Sequence, residues 1–300
     1  MTVDLTTMTP ISLNATVLAT ESVNFSPGAG GEKLRHSGLP YASSIVQSSV
    51  APRLTFRTFF EPVFAVLGLS VTRLTAVEWH QQTFTNFEAN AGGVKYALNT
   101  SALAYAYITG LSEGAAGTIM ADVEVVFLSA DGTTNPVAEQ AAAVAILALS
   151  AEPQKQVRGP VVVNGTALPG VTSFSLTTGI RAIPAEPVDG ETYSKTVVDD
   201  GGDFMVSLGT NGIKLALATI TNDGLDISSN VVVYLRDVDS EGLTTGTAGV
   251  SFTIAAGRVA VSGLSQSVGA PDSGTIDVMA INGSADRTIP VAVSVSATLP

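Results

Sequence analysis

The chain has 300 residues, 45% hydrophobic and only 13% charged, with a net charge of −12 and no cysteine. This composition excludes a disordered chain, which needs the opposite balance, and it excludes disulfides, thiolate metal sites and cysteine nucleophiles. Lys and Arg this scarce are not suited to gripping nucleic-acid phosphates, and so few charges point to surface hidden against other copies or partners.

The first ten residues, "MTVDLTTMTP", lack the basic and then apolar run of a secretory signal. The expected setting is therefore a soluble or assembled protein made in a cytoplasm. Residues 1–40, with "SPGAGGEKLRHSG", read as an arm or long loop without a core of its own. In "RLTFRT", Arg53, Thr55 and Arg57 alternate with Leu54, Phe56 and Thr58, the pattern of a strand. "FFEPVFAVLGL", 59–69, predicts a helix with Pro62 in its first turn and Gly68 at its end. "VTRLTAVEWHQQTF" and "VKYALNTSALAYAYITG" read as long strands rich in β-branched and aromatic residues.

Alanine dominates 137–149, which leaves open a second helix or a short helix plus linker. The longest apolar run there, "AAAVAILALSA", is about half the length that spans a bilayer, so no membrane partner is expected. "SAEPQKQVRGP" reads as a boundary between a first β domain, 41–150, and a second, 151–300. The second half carries "PVVVNG", "VTSFSLTTG", "DFMVSLG", "IKLALATI", "NVVVYLRDV", "VSFTIAA", "RVAVSGL" and "TIPVAVSVS" between Gly, Asn and Asp turn signals. Such short strands predict an antiparallel sandwich or barrel. The expected fold is mainly β, a tandem pair of sandwich or barrel-type domains with one short helix flanking the first.

One phrase occurs twice. "GTIMADVEVVFLSADGTTNPVA" begins at Gly117 and "GTIDVMAINGSADRTIPVA" at Gly274, each preceded by Gly-Leu-Ser, at Gly110 and Gly263. The shared order of tripeptides indicates an internal repeat. In the first copy Ala121, Val123, Val125 and Phe127 share an apolar strand face, and Met120, Asp122, Glu124, Val126 and Leu128 share the other. Aligning Gly-Thr-Ile sets Asp277 against Met120 and Met279 against Asp122, with Asp277 on the acidic face.

Signals for catalysis are weak. His36 lies in the Gly-rich arm, and "EWH" at Glu78, Trp79 and His80 reads as packing or surface. No nucleophile elbow, phosphate loop or dinucleotide fingerprint is present. "DVDSEG", 237–242, imitates the start of a calcium loop, but Ala248 stands where the bidentate Glu belongs. That segment and "DDGGD", 199–203, read as polar turns. Asp122 and Glu124 lie close enough for an acid–base pair but lack an aromatic sugar platform. No catalytic, cofactor or metal site is expected.

The run "IMADVEVVFLSADGTTNPVA" with the upstream "YALNTSALAYAYITGLS" resembles segments of tail tube proteins of long, non-contractile-tailed bacteriophages. The resemblance covers about 39–137, and the second half only through the repeat. It implies a structural virion protein, made in the host cytoplasm, whose sheets join edge to edge into stacked rings enclosing a DNA channel. Its partners would be copies of itself, other tail proteins at the tube ends, and genomic DNA passing without specific binding. A chain with two tube domains implies three chains per pseudo-sixfold ring. A tube domain plus an Ig-like decoration implies six. Asp122, Glu124 and Asp277 are then the candidate lumen-facing acids, repelling phosphate. The rival expectations are a β-sandwich binding module, such as an adhesin or carbohydrate-binding protein, and another virion part, such as a decoration or tail terminator protein.

Overall fold

The computed structural model describes all residues except 1–3, 29–30, 35–43, 48–50, 60, 86–87, 90–92, 115–116, 145–146, 148–154, 189, 212–219, 221–222, 239–243, 266–271 and 283–288. In chain order the elements are β1 (Asp4–Leu13), β2 (Thr16–Leu18), β3 (Thr20–Ser26), β4 (Gly31–Leu34), β5 (Ser44–Gln47) and β6 (Arg53–Thr58). Next come α1 (Pro62–Leu67), β7 (Thr72–Leu74), β8 (Val77–Thr85), β9 (Glu88–Ala89) and β10 (Gly93–Leu98). The hairpin β11 (Leu103–Glu113) and β12 (Ile119–Leu128) leads to β13 (Val137–Val144), β14 (Lys155–Val163), β15 (Thr166–Leu168) and β16 (Val171–Thr177). Then follow β17 (Ala182–Pro184), β18 (Val197–Asp199), β19 (Met205–Asn211), β20 (Leu225–Asp226) and β21 (Val231–Val238). The last four are β22 (Thr244–Ile254), β23 (Gly257–Ser265), β24 (Ser273–Ala280) and β25 (Val291–Thr298).

The fold is mainly β and antiparallel, with one short helix among the described residues. A ten-stranded sheet runs β20-β23-β24-β19-β16-β11-β12-β6-β3, with β7 also on β11. Two smaller sheets, β13-β10-β8-β1-β2 and β15-β14-β21-β22-β25, supply the other layer. Phe25 and Phe127 of the long sheet meet Trp79 and Tyr96 of the first small sheet, with Trp79 and Tyr96 stacked at 5.3 Å. Phe174 of the long sheet lies 6.2 Å from Phe252 of the second. Burying each such ring contributes roughly 1.5–3 kcal/mol, and this alternation of core-facing residues defines both interiors.

The same pairing scheme is drawn in both halves. The order β11-β12-β6-β3 is matched by β23-β24-β19-β16, and β13-β10-β8-β1-β2 by β25-β22-β21-β14-β15. Irregularities recur with it. β3 is bulged between Thr20 and Ser22 against β6, and β16 between Val171 and Ser173 against β19. β1 is bulged between Met8 and Ile11, and β14 between Arg158 and Val161. Bulges persist only where a local bend is needed, so their shared positions weigh more than strand count.

The two-residue hairpins after β1 and β14 repeat as well. Asn14 and Ala15 have φ of 47° and 69°, and Asn164 and Gly165 have 48° and 80°, the left-handed pair that a tight hairpin turn requires. Asn14 Oδ1 accepts the backbone N–H groups of Thr75 and Ala76 at 2.8 and 3.1 Å. Asn164 Oδ1 accepts those of Ser228 and Ser229 at 2.9 and 3.0 Å.

Several expectations change. Residues 4–26 are not a coreless arm: they form β1–β3 and bury Ile11, Leu13 and Leu18. The alanine-rich stretch from 137 is strand β13 and not a helix, because pairing with β10 over Lys95–Leu98 positions overrides alanine's weak helix preference. The helix over 59–69 is present in shortened form, with Pro62 at its start and Gly68 at φ 58° closing it. The strand read over 213–220 lies, apart from Ile220, outside the described residues. The long sheet continues between the halves through the pairing of β11 with β16. No helix among the described residues is long and apolar enough to cross a membrane.

Ala15 and Gly165 occupy the same turn position, and Gly165 has open space where a Cβ would sit. We expect Ala15→Gly to stabilise the fold by up to about 1 kcal/mol through relief of left-handed strain, and Gly165→Ala to cost about 1 kcal/mol. Urea unfolding of the two variants checks the opposite signs.

Candidate functional site

β12 lies between β11 and β6, and its alternation works as expected on the core side. Ala121, Val123, Val125 and Phe127 are all buried. The acidic face is more structured than its sequence suggests. Register sets Asp122 across from Arg57, and Glu124 across from Thr55 and diagonal to Arg53. Arg57 Nε donates to Asp122 Oδ1 at 2.9 Å, and Arg53 Nη1 donates to Glu124 Oε1. Arg57 Nη2 also donates to Ser112 Oγ at 2.9 Å, and Arg57 Nη1 lies 3.7 Å from Glu21 Oε2. The hydrogen bond to Asp122 is the main cause holding the Arg57 guanidinium above its ordinary pKa. Ion pairs this exposed are worth about 0–1 kcal/mol each; their larger effect is to neutralise both acids.

The rest of this face is covered. Met120, Val126 and Leu128 are buried, as is Tyr107, which stands directly across from Glu124 on β11. The segment carrying Ile180, Ala182 and Ile183 closes over Tyr107 and Glu124, leaving a groove of about 430 Å³. Burial first, and the nearby Glu124 charge second, push the Tyr107 hydroxyl up to about 12 despite its hydrogen bond with the Ala182 backbone.

Asp277 has different surroundings. It lies across from Ser207 on β19, and Ser207 Oγ donates to Asp277 Oδ1 at 2.6 Å. Strand register also revises its alignment. β11 is bulged after Ile108, which faces Val123, and β23 after Val261, which faces Ile276. The bulged residues act alike: Thr109 Oγ1 donates to Asp122 O at 3.1 Å, and Ser262 Oγ to Thr275 O at 3.4 Å. Asp277 therefore corresponds to Glu124, not Met120, and Met279 to Val126, not Asp122. Gly-Thr-Ile misleads because four residues (113–116) separate it from Gly-Leu-Ser in the first copy and eight (266–273) in the second. The difference is even, so the shared face survives the correction.

The charged network belongs to one copy alone. Where the first has Glu21, Arg57, Asp122 and Ser112, the second has Thr172, Gly209, Thr275 and Ser265 by the same register. The pairing of Arg53 and Arg57 with the acids was legible in principle. All four residues alternate on strands whose pairing the sequence does not declare.

The remaining candidates are dispersed. His80 Nε2 and Glu78 Oε1 are 2.7 Å apart, and Lys95 Nζ lies 2.6 Å from Glu78 Oε2. Desolvation raises the Glu78 carboxyl, but hydrogen bonds from Lys95 and His80 outweigh it and hold the group below its usual value. In 199–203, Asp199 Oδ1 accepts the Gly201 N–H at 2.9 Å, a local turn. Asp237 Oδ1 accepts from Gln156 Nε2 at 3.1 Å, while 239–242 of that motif lie outside the described residues, as does His36. Among the described residues no three His, Asp or Glu side chains gather in a metal-sized cluster.

Composition did not single out the exposed apolar residues. Met205, Leu264, Met279 and Ile281 all stand out into solvent on or beside the second hairpin's end of the long sheet. The signal that could have found Leu264 is the second Gly-Leu-Ser, identical in sequence to a segment whose leucine is buried.

No protein-family model matches this chain. A search of curated proteins also finds no match.

The turn after β12 offers a pH test. Asp131 accepts from the Thr134 hydroxyl, the Thr134 and Thr133 backbone N–H groups and the Ser129 hydroxyl, which together hold its carboxyl well below the ordinary 3.8. A depressed carboxyl stabilises the fold above its unfolded pKa and loses that contribution as pH falls toward its folded value. Asp131→Ala should therefore lower Tm at pH 7, with the gap from the parent closing as pH drops below about 4. Thermal unfolding across pH 2–7 reads this directly.

Proposed function

We propose that this chain is a structural virion protein, a tail tube subunit that assembles with its own copies into stacked rings around a DNA channel. The observation that carries the reading is the ten-stranded sheet, assembled head to tail from two matching sets of four strands, each with one short strand, β7 or β20, beside it. A sheet extended that way inside one chain is a template for extension between chains. Head-to-tail contacts form rings where the rotation closes, and closure removes the exposed edges that otherwise invite aggregation. The tube-protein resemblance around β11 and β12 supports the same reading, and the scarcity of charge fits surfaces covered on assembly.

In this reading each chain contributes two duplicated tube domains, so three chains complete a pseudo-sixfold ring. The open part of the long sheet's non-core face, at Asp122 and along Thr275 to Met279, lines the channel, while the part at Tyr107 and Glu124 stays covered by the segment carrying Ile180 to Ile183. Asp122 and the neighbouring, covered Glu124 carry arginine partners, so the wall is charge-mixed there, and among the described residues no cation pairs with Asp277. Where Arg57 and Arg53 are held by Asp122 and Glu124, they are not free to grip passing phosphates. Neither cofactor nor catalysis is required, and the other partners are tail proteins at the tube ends.

Negative-stain microscopy of the purified chain checks the proposal. Rings that stack into tubes are expected; monodisperse single chains at high concentration would overturn it.

A further inference from the structure

We propose that the outer edge of β23 at Gly263, Leu264 and Ser265 receives β3 of a second copy of this chain, in the register Gly263 to Ser26, Leu264 to Phe25 and Ser265 to Asn24. The inference rests on the self-assembly reading and names the joint that performs it.

Three observations carry it. The first is the joint that already exists between the halves. Gly110, Leu111 and Ser112 of β11 pair with Thr177, Leu176 and Ser175 of β16. There a Cβ on Gly110 would lie 3.0 Å from the Leu176 carbonyl oxygen, so the close approach favours glycine, and Leu111 is only 2% exposed.

The second is an unused copy of the receiving edge. Gly263, Leu264 and Ser265 follow the same bulge at the same register on their hairpin partner. Even the adjoining short strand is reproduced. β7 covers β11 at Ala104, Tyr105 and Ala106, and β20 covers β23 at Arg258 and Val259, the positions matching Tyr105 and Ala106. These three residues pair with β24 on their inner side, but beyond β20 no strand among the described residues pairs with their outer edge. Leu264 is 59% exposed where its twin is buried. Gly263 is a glycine although the atoms nearest to a Cβ there belong to Thr275 on its own hairpin, at 3.7 Å.

The third is an unused copy of the inserting strand. β3 pairs β6 with the register and bulge that β16 shows on β19, which sets Phe25 at the position of Leu176 and Asn24 at that of Ser175. β3 ends the long sheet, and its outer edge has no strand partner among the described residues. The two unused edges lie at opposite ends of one sheet, so neither can satisfy the other within a chain. A second copy brings the missing edge in the required direction, continuing the joint already built between β11 and β16.

The chain has no cysteine, so introduced thiols report this joint without background. Asn24 and Ser265 are both exposed, and facing positions in an antiparallel pair lie within disulfide reach, whereas positions two residues off register do not. Oxidation of the Asn24→Cys, Ser265→Cys double variant should give a covalent ladder of chains, at least tenfold stronger than with Ser22→Cys, Ser265→Cys. Mixing the two single variants should give one dimer band. Leu264→Asp, at an exposed position, should suppress assembly while leaving far-UV circular dichroism and unfolding of the single chain unchanged. Tubes that form without the ladder would overturn this joint and leave the tube reading standing. A ladder with closed rings that never stack would support the joint and overturn the tube reading. Equal ladders from both double variants would overturn the register, and absence of both ladder and assemblies would overturn joint and reading alike.

Discussion

The pairing of β11 with β16 is the contact on which the rest depends. It is short, three residues on each strand, yet it converts two sets of strands into one ten-stranded sheet. Other bonds reinforce it. Thr178 Oγ1 donates to Ile108 O at 2.7 Å, and Arg158 Nη1 reaches Glu113 Oε1 at 2.5 Å. Phe64 of α1 packs edge-on against Phe252 of the second small sheet at 5.6 Å. An aromatic contact, a buried hydroxyl and an ion pair thus back a small number of ladder hydrogen bonds. Each contributes little in isolation, and together they hold the two halves in one orientation.

Much of this architecture was readable in advance, for identifiable reasons. The strand from Arg53 to Thr58 announces itself because a half-buried strand forces a period of two, and its Leu54, Phe56 and Thr58 are buried as that period demands. The helix at Pro62 is readable because proline suits a first turn and Gly68 a left-handed stop. β1 and β13 were harder. β1 is written largely in Thr, Met and Ser, whose weak pattern resembles a loop, and pairing with β8 and β2 makes it a strand. β13 is written in alanine, which favours helix until a neighbouring strand supplies ladder hydrogen bonds. Local preference is a fraction of a kcal/mol per residue, and long-range pairing overrides it.

The repeated phrase led to the right hairpins by a slightly wrong path. Tripeptide matching aligned Asp277 with Met120, whereas bulge and register align it with Glu124. A loop insertion moves letters along a strand without moving the bulge, because the bulge is fixed by hydrogen bonds to the neighbouring strand. The partners of the acids were hidden for a related reason. Arg53 and Arg57 are more than sixty residues from Glu124 and Asp122 in sequence, and only the order β11-β12-β6 brings them together. Charge counted along a chain overstates the field of a face whose acids have cations across the next strand.

The proposed ring follows from treating the inner joint as one instance of a repeated contact. If each chain contributes two equivalent segments of wall, a ring of six segments contains three chains. Mass measurement of individual rings by scanning transmission microscopy, combined with rotational averaging of top views, tests this most directly. The expected result is six near-equal lobes in a ring weighing three times the 30.6 kDa of one chain. Rings containing six chains, or chains that stay single at every concentration, would contradict it.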